Sequence, residues 1–478
     1  MGVLGVWATA YRLRDAVVQA AEGRGTSRGR PCAMSAPMTS WLITADAVLG
    51  AGDGGDVLGP SDVLVQSGAI AQIGPAGSIS AEGVPRLDWS GRAILPGGVN
   101  AHNHSFQSLL RGFGDDLPFL EWREKALYRY SPRLDAQGVH IGALFAFGEM
   151  LLAGTTTVCD FFYLNDGANE CAEAVIAAAR RVGIRVVMAR CFYDWEGAPA
   201  QYREAPARAR DNFEALVAAH PRTEDALVSI HAAPHSLHGA SAEMIRTAHA
   251  AARTADVPMH IHLAEERYQV DDSLRLYGKR PLFAAESLGV VDESLVAVHG
   301  CWFDESERAL LAERRGSLAY NPASNMFLGD GVTDVVDLGR RGVRMGLGTD
   351  GGCSNSRVSV YDEMRSCALL QKVHRVDGQA IDAETCFALG TRGGADLLRL
   401  PVGRIRPGER ADLVAVDLHD PSLWPVQSLA KNVVYSMNAR AIRDVLVDGH
   451  PVVTAGRLQR IPIEEIEALV RKLTHDWR

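Results

Sequence analysis

Two histidines one residue apart close the apolar run "AILPGGV", in the segment "NAHNHSF". Side chains at positions i and i+2 of an extended chain project to the same side, so His102 and His104 face one way and Asn103 faces the other. Two imidazoles on one face can share a metal ion. On its own, however, this short motif is more often a pair of hydrogen-bonded loop histidines, so more distant residues must decide.

Further candidate ligands stand at the ends of later apolar runs. "PMHIHLAEE" supplies His260 and His262 with Glu265 just beyond, "VAVHGC" supplies His299, and "GLGTDGGCSN" supplies Asp350. Imidazole and carboxylate groups bind borderline divalent cations such as zinc, and a catalytic site keeps one position open for water. This repeated placement favours a metal-dependent hydrolytic site over histidines buried separately in a core.

The segments around these residues predict the elements that hold them. From 96 to 395, apolar runs such as "TTTVCDFFY" and "IRVVMARCF" alternate about eight times with segments of helical periodicity such as "NECAEAVIAAARRVG". This order is typical of an α/β protein with a parallel (β/α)8 barrel, and an open doubly wound sheet is the structural alternative. Polar residues at the ends of the runs favour the barrel, because barrel sites are built at the carboxyl ends of strands.

The flanking segments predict a second, smaller unit. Short β-like runs fill 39–95 and return in 396–460, which indicates one small β-sandwich built from both terminal segments. A C-terminal helix is expected at 461–478. Residues 1–38 hold little that could form a core, and we interpret them as a disordered leader or an over-called start.

Composition narrows the function classes. The 478-residue chain carries a net charge of −9 without clustered lysine and arginine, which argues against a nucleic-acid partner. Its eight cysteines are scattered and form no CxxC pair, as expected for reduced thiols. No apolar run is long enough to cross a membrane. We therefore expect a cytoplasmic protein that acts on a small-molecule substrate.

Six motifs, in their order and spacing, resemble the amidohydrolase superfamily, specifically its metal-dependent branch of nucleobase, nucleoside and aminated-heterocycle deaminases. They are "PGGVNAHNH", "APHS", "HIHLAEE", "VAVHG", "NPASN" and "LGTDGGCSN". The resemblance runs from about Trp41 to Gly456. It implies a distorted (β/α)8 TIM barrel with a β-sandwich from both termini, one divalent metal ion and a homo-oligomer as a plausible assembly. Zinc is the expected ion, with iron(II) and manganese as alternatives.

The resemblance also implies roles for individual residues. It assigns the metal to His102, His104, His262 and Asp350, and catalysis to Glu265, His299 and Asp350, and it leaves His260 as a structural histidine. A divalent ion lowers the pKa of a bound water, whose proton Asp350 can accept. Glu265 would donate a proton to the ring nitrogen and to the departing amine, so that ammonia leaves and a carbonyl remains.

Two resemblances disagree about the substrate. In the deaminase branch, His235 of "APHS" and Glu121 of "LEW" match substrate contacts. The segments "HNHSFQSLLRG", "WREKALYR" and "FFYLND" are instead similar to formiminoglutamate deiminases, in which Gln107, Arg123 and Tyr163 would hold an amino-acid-like substrate. The chain departs from those deiminases in having His238 where they have arginine, and its run "TDGGCSN" has the deaminase form.

The leading prediction is therefore hydrolytic deamination of an aminated heterocycle of nucleobase, pterin or nucleoside type. The alternatives within enzymes are a formimino or amidine deiminase acting on an amino-acid derivative and a triazine-type hydrolase. A non-catalytic metal-binding barrel is the alternative outside enzymes. A scaffold that only binds metal would have no need of the proton-transferring pair Glu265 and His299.

Overall fold

The computed structural model describes residues 39–50, 56–165, 168–223 and 227–477. The predicted leader at 1–38 lies outside these described residues. Within them, 17 strands fall into two sheets, one of nine strands and one of eight.

The nine-stranded sheet is built from both terminal segments. It is mixed: β1 pairs with β5 in parallel, and its other pairs are antiparallel. The hairpin between β3 and β4 turns at Ser67 and Gly68, which both have positive φ, as a tight two-residue turn requires. The strands are β1 Trp41–Leu49, β2 Val57–Leu58, β3 Ser61–Gln66, β4 Ala69–Pro75, β5 Arg86–Pro96, β14 Leu413–Asp417, β15 Ile442–Val447, β16 His450–Thr454 and β17 Arg457–Leu458.

The eight remaining strands, β6 to β13, run parallel in sequence order, which confirms the predicted α/β barrel. The first and last strands meet where the Asp350 N–H donates to the His102 carbonyl at 3.0 Å, so the sheet is nearly closed rather than open. The strands are β6 Gly98–Asn103, β7 Thr155–Phe162, β8 Arg185–Phe192, β9 Val228–Pro234, β10 Met259–Leu263, β11 Leu295–His299, β12 Ser317–Tyr320 and β13 Arg344–Leu347.

Helices connect the barrel strands and cover them on the outside. Glu170–Val182 shows the local logic: acidic residues begin it, Arg180 and Arg181 end it, and Gly183 closes it at φ 90°. Its apolar side packs on the barrel. The longer helices are Ala136–Leu152, Glu170–Val182, Pro206–Ala219, Ala242–Thr254, Arg267–Tyr277, Pro281–Ser287, Glu305–Glu313, Pro322–Leu328, Val335–Arg340, Val360–Arg375, Ala383–Ala388, Leu429–Tyr435 and Ile463–Leu473.

A buried ion pair joins the two sheets at the amino end of the barrel. Arg185 begins β8, and its Nε donates to Asp412 Oδ2 at 3.0 Å just before β14. Both side chains are almost fully buried, so loss of either partner would leave a costly buried charge. The opposite, carboxyl end of the barrel stays available for the site. No helix in the described ranges combines the length and apolar character that a bilayer crossing requires.

Candidate active site

The carboxyl ends of β6, β10, β11 and β13 bring one group of polar side chains together. His102 Nε2 lies 3.5 Å and His104 Nε2 3.2 Å from Asp350 Oδ1. The His262 ring centroid is 5.0 Å from that of His102. Asp350, just beyond β13, and His299, the last residue of β11, both adopt positive φ, at 57° and 72°. Non-glycine residues in this conformation are typical of functional sites, where surrounding contacts hold them.

Hydrogen bonds to main-chain carbonyls orient two of these imidazoles. His104 Nδ1 donates to the Phe161 carbonyl at 2.5 Å, and His262 Nδ1 donates to the His235 carbonyl at 2.8 Å. Because a carbonyl can only accept, Nδ1 carries the proton in both rings and Nε2 keeps a free lone pair. This is the arrangement in which a histidine binds a metal through Nε2.

His102 and Asp350 supply the rest of a ligand set. Both ring nitrogens of His102 are buried without a hydrogen-bond partner, which is costly unless they meet a cation. Asp350 Oδ2 accepts from the Ser324 and Ser354 hydroxyls at 2.6 and 3.0 Å, so Oδ1 is the oxygen left facing the histidines. The potential ligand atoms of His102, His104 and Asp350 lie within 4.8 Å of one another, and so do those of His102, His262 and His299. Imidazole and carboxylate groups at these distances fit a divalent cation.

The pKa of Asp350 follows from these contacts. Burial alone would raise it, but the close approach of the His102 and His104 rings outweighs burial and holds the pKa of Asp350 well below its usual range. The Asn103 side chain donates to the Asp350 carbonyl at 2.5 Å and so fixes the main chain at this residue. Asn103 thus contacts the main chain of Asp350, whereas His102 and His104 face its side chain.

His299 differs from the candidate ligands in the position of its proton. Its Nδ1 accepts from the side-chain amides of Asn325, at 2.9 Å, and Asn321, at 3.3 Å. The proton of the neutral ring therefore sits on Nε2, which lies 3.5 Å from Glu265 Oε1. Burial lowers the pKa of His299 to about 4. This ring is arranged to donate a hydrogen bond to a reactant rather than to bind metal.

Glu265 is a buried carboxyl two residues beyond the end of β10. Burial, followed by the charge of Asp350, raises the pKa of Glu265 well above its usual range. Gln269 holds it twice, by accepting from the Glu265 main-chain N–H at 3.0 Å and by donating to Oε2 at 3.2 Å. A carboxyl that keeps its proton near neutral pH is suited to act as a general acid.

His104, His262, Glu265, His299 and Asp350 line the inner end of a cavity at the carboxyl end of the barrel. Its outer walls are mainly aromatic and come from the loops and short helices that follow the strands. The aromatic carbocyclic residues that line it are Phe119, Trp122, Tyr128, Tyr163, Tyr193 and Tyr202. A pocket with aromatic walls and a few polar groups at one end suits a small, planar substrate.

Three of the predicted substrate contacts line this cavity at its inner side. Gln107 Nε2 donates to the Tyr163 hydroxyl at 2.6 Å, and the His235 ring stacks on Tyr193 at 4.2 Å between centroids. A Cβ atom at Gly351 would lie 1.7 Å from Gln107 Oε1, so only glycine leaves room for this glutamine. Burial raises the pKa of the Tyr163 phenol, which stays a neutral hydrogen-bonding group.

The two charged residues of the same prediction are placed differently. Arg123 lines the cavity, with its guanidinium over the rings of Tyr128 and Trp195 at 5.2 and 5.4 Å. The Glu121 side chain is 54% exposed, pairs with Lys125 at 2.6 Å and is not among the residues that line the cavity. The structure therefore brings Arg123, but not Glu121, to the other predicted contacts.

The remaining predicted histidine lies deeper in the barrel. His260 Nε2 is 3.0 Å from His231 Nδ1, and its ring nitrogens are 4.0 Å from Cys159 Sγ, away from the cluster at the strand ends. The sequence reasoning did not single out the serines that bind Asp350 or the tyrosines that follow β8. The aromatic run "CFYDW" directly after an apolar run was the available signal for those tyrosines.

With this geometry in place, comparison with known proteins identifies the class. The model of the Amidohydrolase family matches residues 93–452, so the chain belongs to the amidohydrolase family. The resemblance read from the motifs is thereby confirmed.

Two named deaminases are similar in sequence to this protein over more than four fifths of the chain. A 5-methylthioadenosine/S-adenosylhomocysteine deaminase of Syntrophobacter fumaroxidans is 33% identical over 442 residues, covering 92% of this chain and 98% of that protein. A protein of the same name from Haloarcula marismortui is 34% identical over 404 residues, covering 83% and 90%.

Solved structures agree with the fold. A zinc-bound adenosine deaminase from Xanthomonas campestris superposes with a TM-score of 0.86 at 29% identity, covering 91% of this chain and 98% of that one. An atrazine chlorohydrolase from Arthrobacter aurescens, also with zinc, reaches a TM-score of 0.86 at 23% identity, covering 91% and 99%. The latter likeness is one of fold.

Proposed function

We propose that this protein is a metal-dependent hydrolytic deaminase that replaces the amino group of an adenine-type nucleoside with oxygen and releases ammonia. One observation carries the proposal. A buried carboxyl, Glu265, and an imidazole N–H, that of His299, face each other across 3.5 Å. Beside them, the potential metal ligands His102, His104 and Asp350 have ligand atoms within 4.8 Å of one another. Proton transfer and metal binding thus meet at one point.

We assign the metal to His102, His104, His262 and Asp350, and we propose zinc as the ion. Three neutral imidazoles and one carboxylate suit zinc and leave a position open for water. A divalent cation there would supply a water acidic enough to react near neutral pH. The zinc-bound adenosine deaminase of the same fold supports this choice of ion.

The chain's own residues then move the protons. Asp350 Oδ1, ionised because its pKa is low, takes a proton from the attacking water. The water oxygen bonds to the carbon that carries the amino group, while Glu265 donates its proton to the adjacent ring nitrogen. His299 donates from Nε2 to the attacking oxygen and holds it in line.

Collapse of the tetrahedral carbon completes the reaction. The bond from carbon to the amino nitrogen breaks, and the proton held by Asp350 goes to that nitrogen, so that ammonia leaves. The proton of the new hydroxyl returns to Glu265 as the carbonyl forms. Water has then replaced ammonia, and both carboxyls are back in their starting states.

The aromatic walls support the choice of substrate. Tyr163, Tyr193 and Tyr202 form the side of the cavity next to the histidines, where a flat base would pack between rings. Two relatives named 5-methylthioadenosine/S-adenosylhomocysteine deaminase, at 33 and 34% identity, support an adenine nucleoside with a thioether at the 5′ position.

A second candidate is an amidine deiminase acting on an amino-acid derivative. The observation that favours it is the placement of Arg123 in the cavity wall while Glu121 faces solvent. A guanidinium is a good bidentate partner for the carboxylate of an amino-acid derivative, whereas adenosine and 5′-methylthioadenosine carry no carboxylate.

Ammonia release by zinc-loaded protein separates these candidates. The panel contains 5′-methylthioadenosine, adenosine, adenine, an aminated pterin, an amino-triazine and a formimino amino acid. We expect the highest kcat/KM for an adenine nucleoside. A clear preference for the formimino acid would transfer the proposal to the second candidate, and absence of turnover on every compound would contradict both.

A further inference from the structure

The proton position of His299 depends on residues that lie outside the cavity. Two side-chain amides, those of Asn325 and Asn321, point their nitrogens at His299 Nδ1. An amide is nearly symmetric in shape, and a rotated Asn325 would present its oxygen instead. Nδ1 would then have to carry the proton, and Nε2 would face the reactants without one.

Asp330 opposes that rotation of Asn325. Asn325 Nδ2 donates its second hydrogen to Asp330 Oδ2 at 3.0 Å. Main-chain bonds hold the aspartate in place independently of its side chain: its N–H donates to the Asn325 carbonyl at 2.9 Å, and its carbonyl accepts from Trp302 Nε1 at 2.8 Å. A rotated amide would set its oxygen against a carboxyl oxygen in a buried place, where two acceptors cannot satisfy each other.

The two carboxyl oxygens of Asp330 differ in their contacts. Oδ2 accepts from the Asn325 amide, whereas Oδ1 is buried without a hydrogen-bond partner among the described residues. A rotated Asn325 would therefore remove the side-chain donor that Asp330 Oδ2 has in this buried place.

We propose that Asp330 is a positioning residue that fixes the Asn325 amide and, through it, the tautomer of His299 with the proton on Nε2. Asp330 does not touch the cavity, and it acts through two hydrogen bonds in series. The inference rests on the proposed role of His299 in donating to the attacking oxygen.

The first test is Asp330→Asn, which keeps the size of the side chain but lets either atom face Asn325. We expect kcat to fall by about 10–100-fold, the range typical when a residue that orients a site side chain by a hydrogen bond is lost. KM should stay within about twofold and zinc content should be unchanged. Asp337→Asn is the matched control. Asp337 lies on the helix Val335–Arg340 and pairs with Arg308 and Arg341. The kcat of the Asp337→Asn variant should therefore equal that of wild type.

Exchanging the two side chains separates positioning from plain support. In the double variant N325D/D330N, the new amide at 330 can donate to the new carboxylate at 325, so the contact between them is kept. His299 Nδ1, however, now faces a carboxylate and must carry the proton. We expect kcat to stay at or below that of Asp330→Asn, and recovery toward wild type would overturn the proposal.

Nitrogen NMR of 15N-histidine-labelled, zinc-loaded protein reads the tautomer without any substrate. We expect His299, assigned by its loss in His299→Gln, to carry its proton on Nε2 in wild type and in Asp337→Asn. In Asp330→Asn a shift toward the Nδ1 form is expected. An unchanged Nε2 tautomer in a folded Asp330→Asn protein would overturn the inference.

Should Asp330→Asn not fold, Asn325→Asp tests the same contact from the other side. It is expected to move the His299 proton to Nδ1, and retention of the Nε2 form would contradict the inference. Absence of ammonia release by wild type on every panel compound would contradict the proposed function instead, while the tautomer measurement still decides the role of Asp330.

Discussion

At the inner end of the cavity, each polar side chain stands on or directly beyond a barrel strand and is buried. Main-chain carbonyls orient His104 and His262, and hydroxyls hold Asp350. At the outer end, the walls are aromatic rings from loops and short helices, and the charged residue among them, Arg123, pairs with its neighbour Glu124 at 2.8 Å. From this comparison we infer that the strands position the metal-binding and proton-transferring side chains, whereas the loops form the walls that contact the rest of the substrate.

The largest effect should follow from removing a ligand at the inner end. Loss of a residue that only hydrogen-bonds to a metal ligand lowers metal affinity by roughly 10–100-fold. His262→Asn removes a proposed ligand itself, so we expect a larger loss of zinc affinity and no turnover at limiting zinc. His260→Asn is the matched control on the same strand. That variant should retain one zinc per chain by elemental analysis, because His260 contacts His231 and not the cluster. Equal zinc loss in both variants would contradict the ligand assignment.

Glu265→Gln should separate chemistry from metal binding. The amide keeps the shape of the side chain but has no acidic proton, so kcat is expected to fall by about 10²–10⁴-fold while zinc content stays at one per chain. Asp271→Asn, which changes an exposed carboxylate on the following helix, should leave kcat unchanged. Turnover within tenfold of wild type in Glu265→Gln would remove it from the mechanism.

The pH dependence of kcat/KM should reflect the titration of His299 and Glu265 at the inner end of the cavity. His299 is neutral above its pKa of about 4, and protonation puts an N–H on Nδ1 against the amides that donate to it. We expect kcat/KM to fall about tenfold per pH unit below that value. Because the pKa of Glu265 is raised, its proton, and with it activity, should persist at neutral pH and be lost only at higher pH. An acidic limb near pH 6 to 7 would contradict this order.

At the outer end the expected effects are smaller and concern binding. Arg123→Gln should raise KM by about tenfold for a substrate with a carboxylate, because a charge-assisted pair is lost, and by less than about threefold for a neutral nucleoside. Initial rates over a range of substrate concentrations separate KM from kcat. A decrease in kcat without an increase in KM would show that Arg123 acts in the chemical step, and would contradict the distinction between the two ends of the cavity.

Glu121→Gln should have the smallest effect. Its carboxylate is exposed and pairs with Lys125 one turn along its helix, a contact worth less than about 1 kcal/mol. We expect KM and kcat within about twofold of wild type. A tenfold increase in KM for nucleosides and not for free bases would show that Glu121 swings into the cavity to reach ribose.

The same contrast explains how far the sequence could be interpreted. The α/β barrel and the terminal sheet follow from local patterns, because buried parallel strands are continuous apolar runs and amphipathic helices repeat every 3.6 residues. The cluster of His102, His104, His262, Glu265 and Asp350 could be proposed because strand ends of a barrel converge on one place.

What the sequence could not supply depends on distant side-chain contacts. Nothing in "NPASN" or "LGDG" indicates that Asn325 bonds both to Asp330 and to His299, because these contacts arise only when β11 and β12 pack side by side. Likewise, "LEWRE" contains two candidate contacts two residues apart, and only the helical turn shows that Arg123 faces the cavity while Glu121 faces solvent.

The central claim is that one bound metal ion and the proton donors beside it release ammonia. The most direct test is to strip the protein with a chelator, add back zinc in steps, and measure both bound zinc and ammonia release from 5′-methylthioadenosine on each sample. We predict no ammonia from stripped protein and a rate that rises in proportion to bound zinc, up to one ion per chain. Full turnover without metal, or no ammonia from this and the other panel compounds at one zinc per chain, would contradict the account.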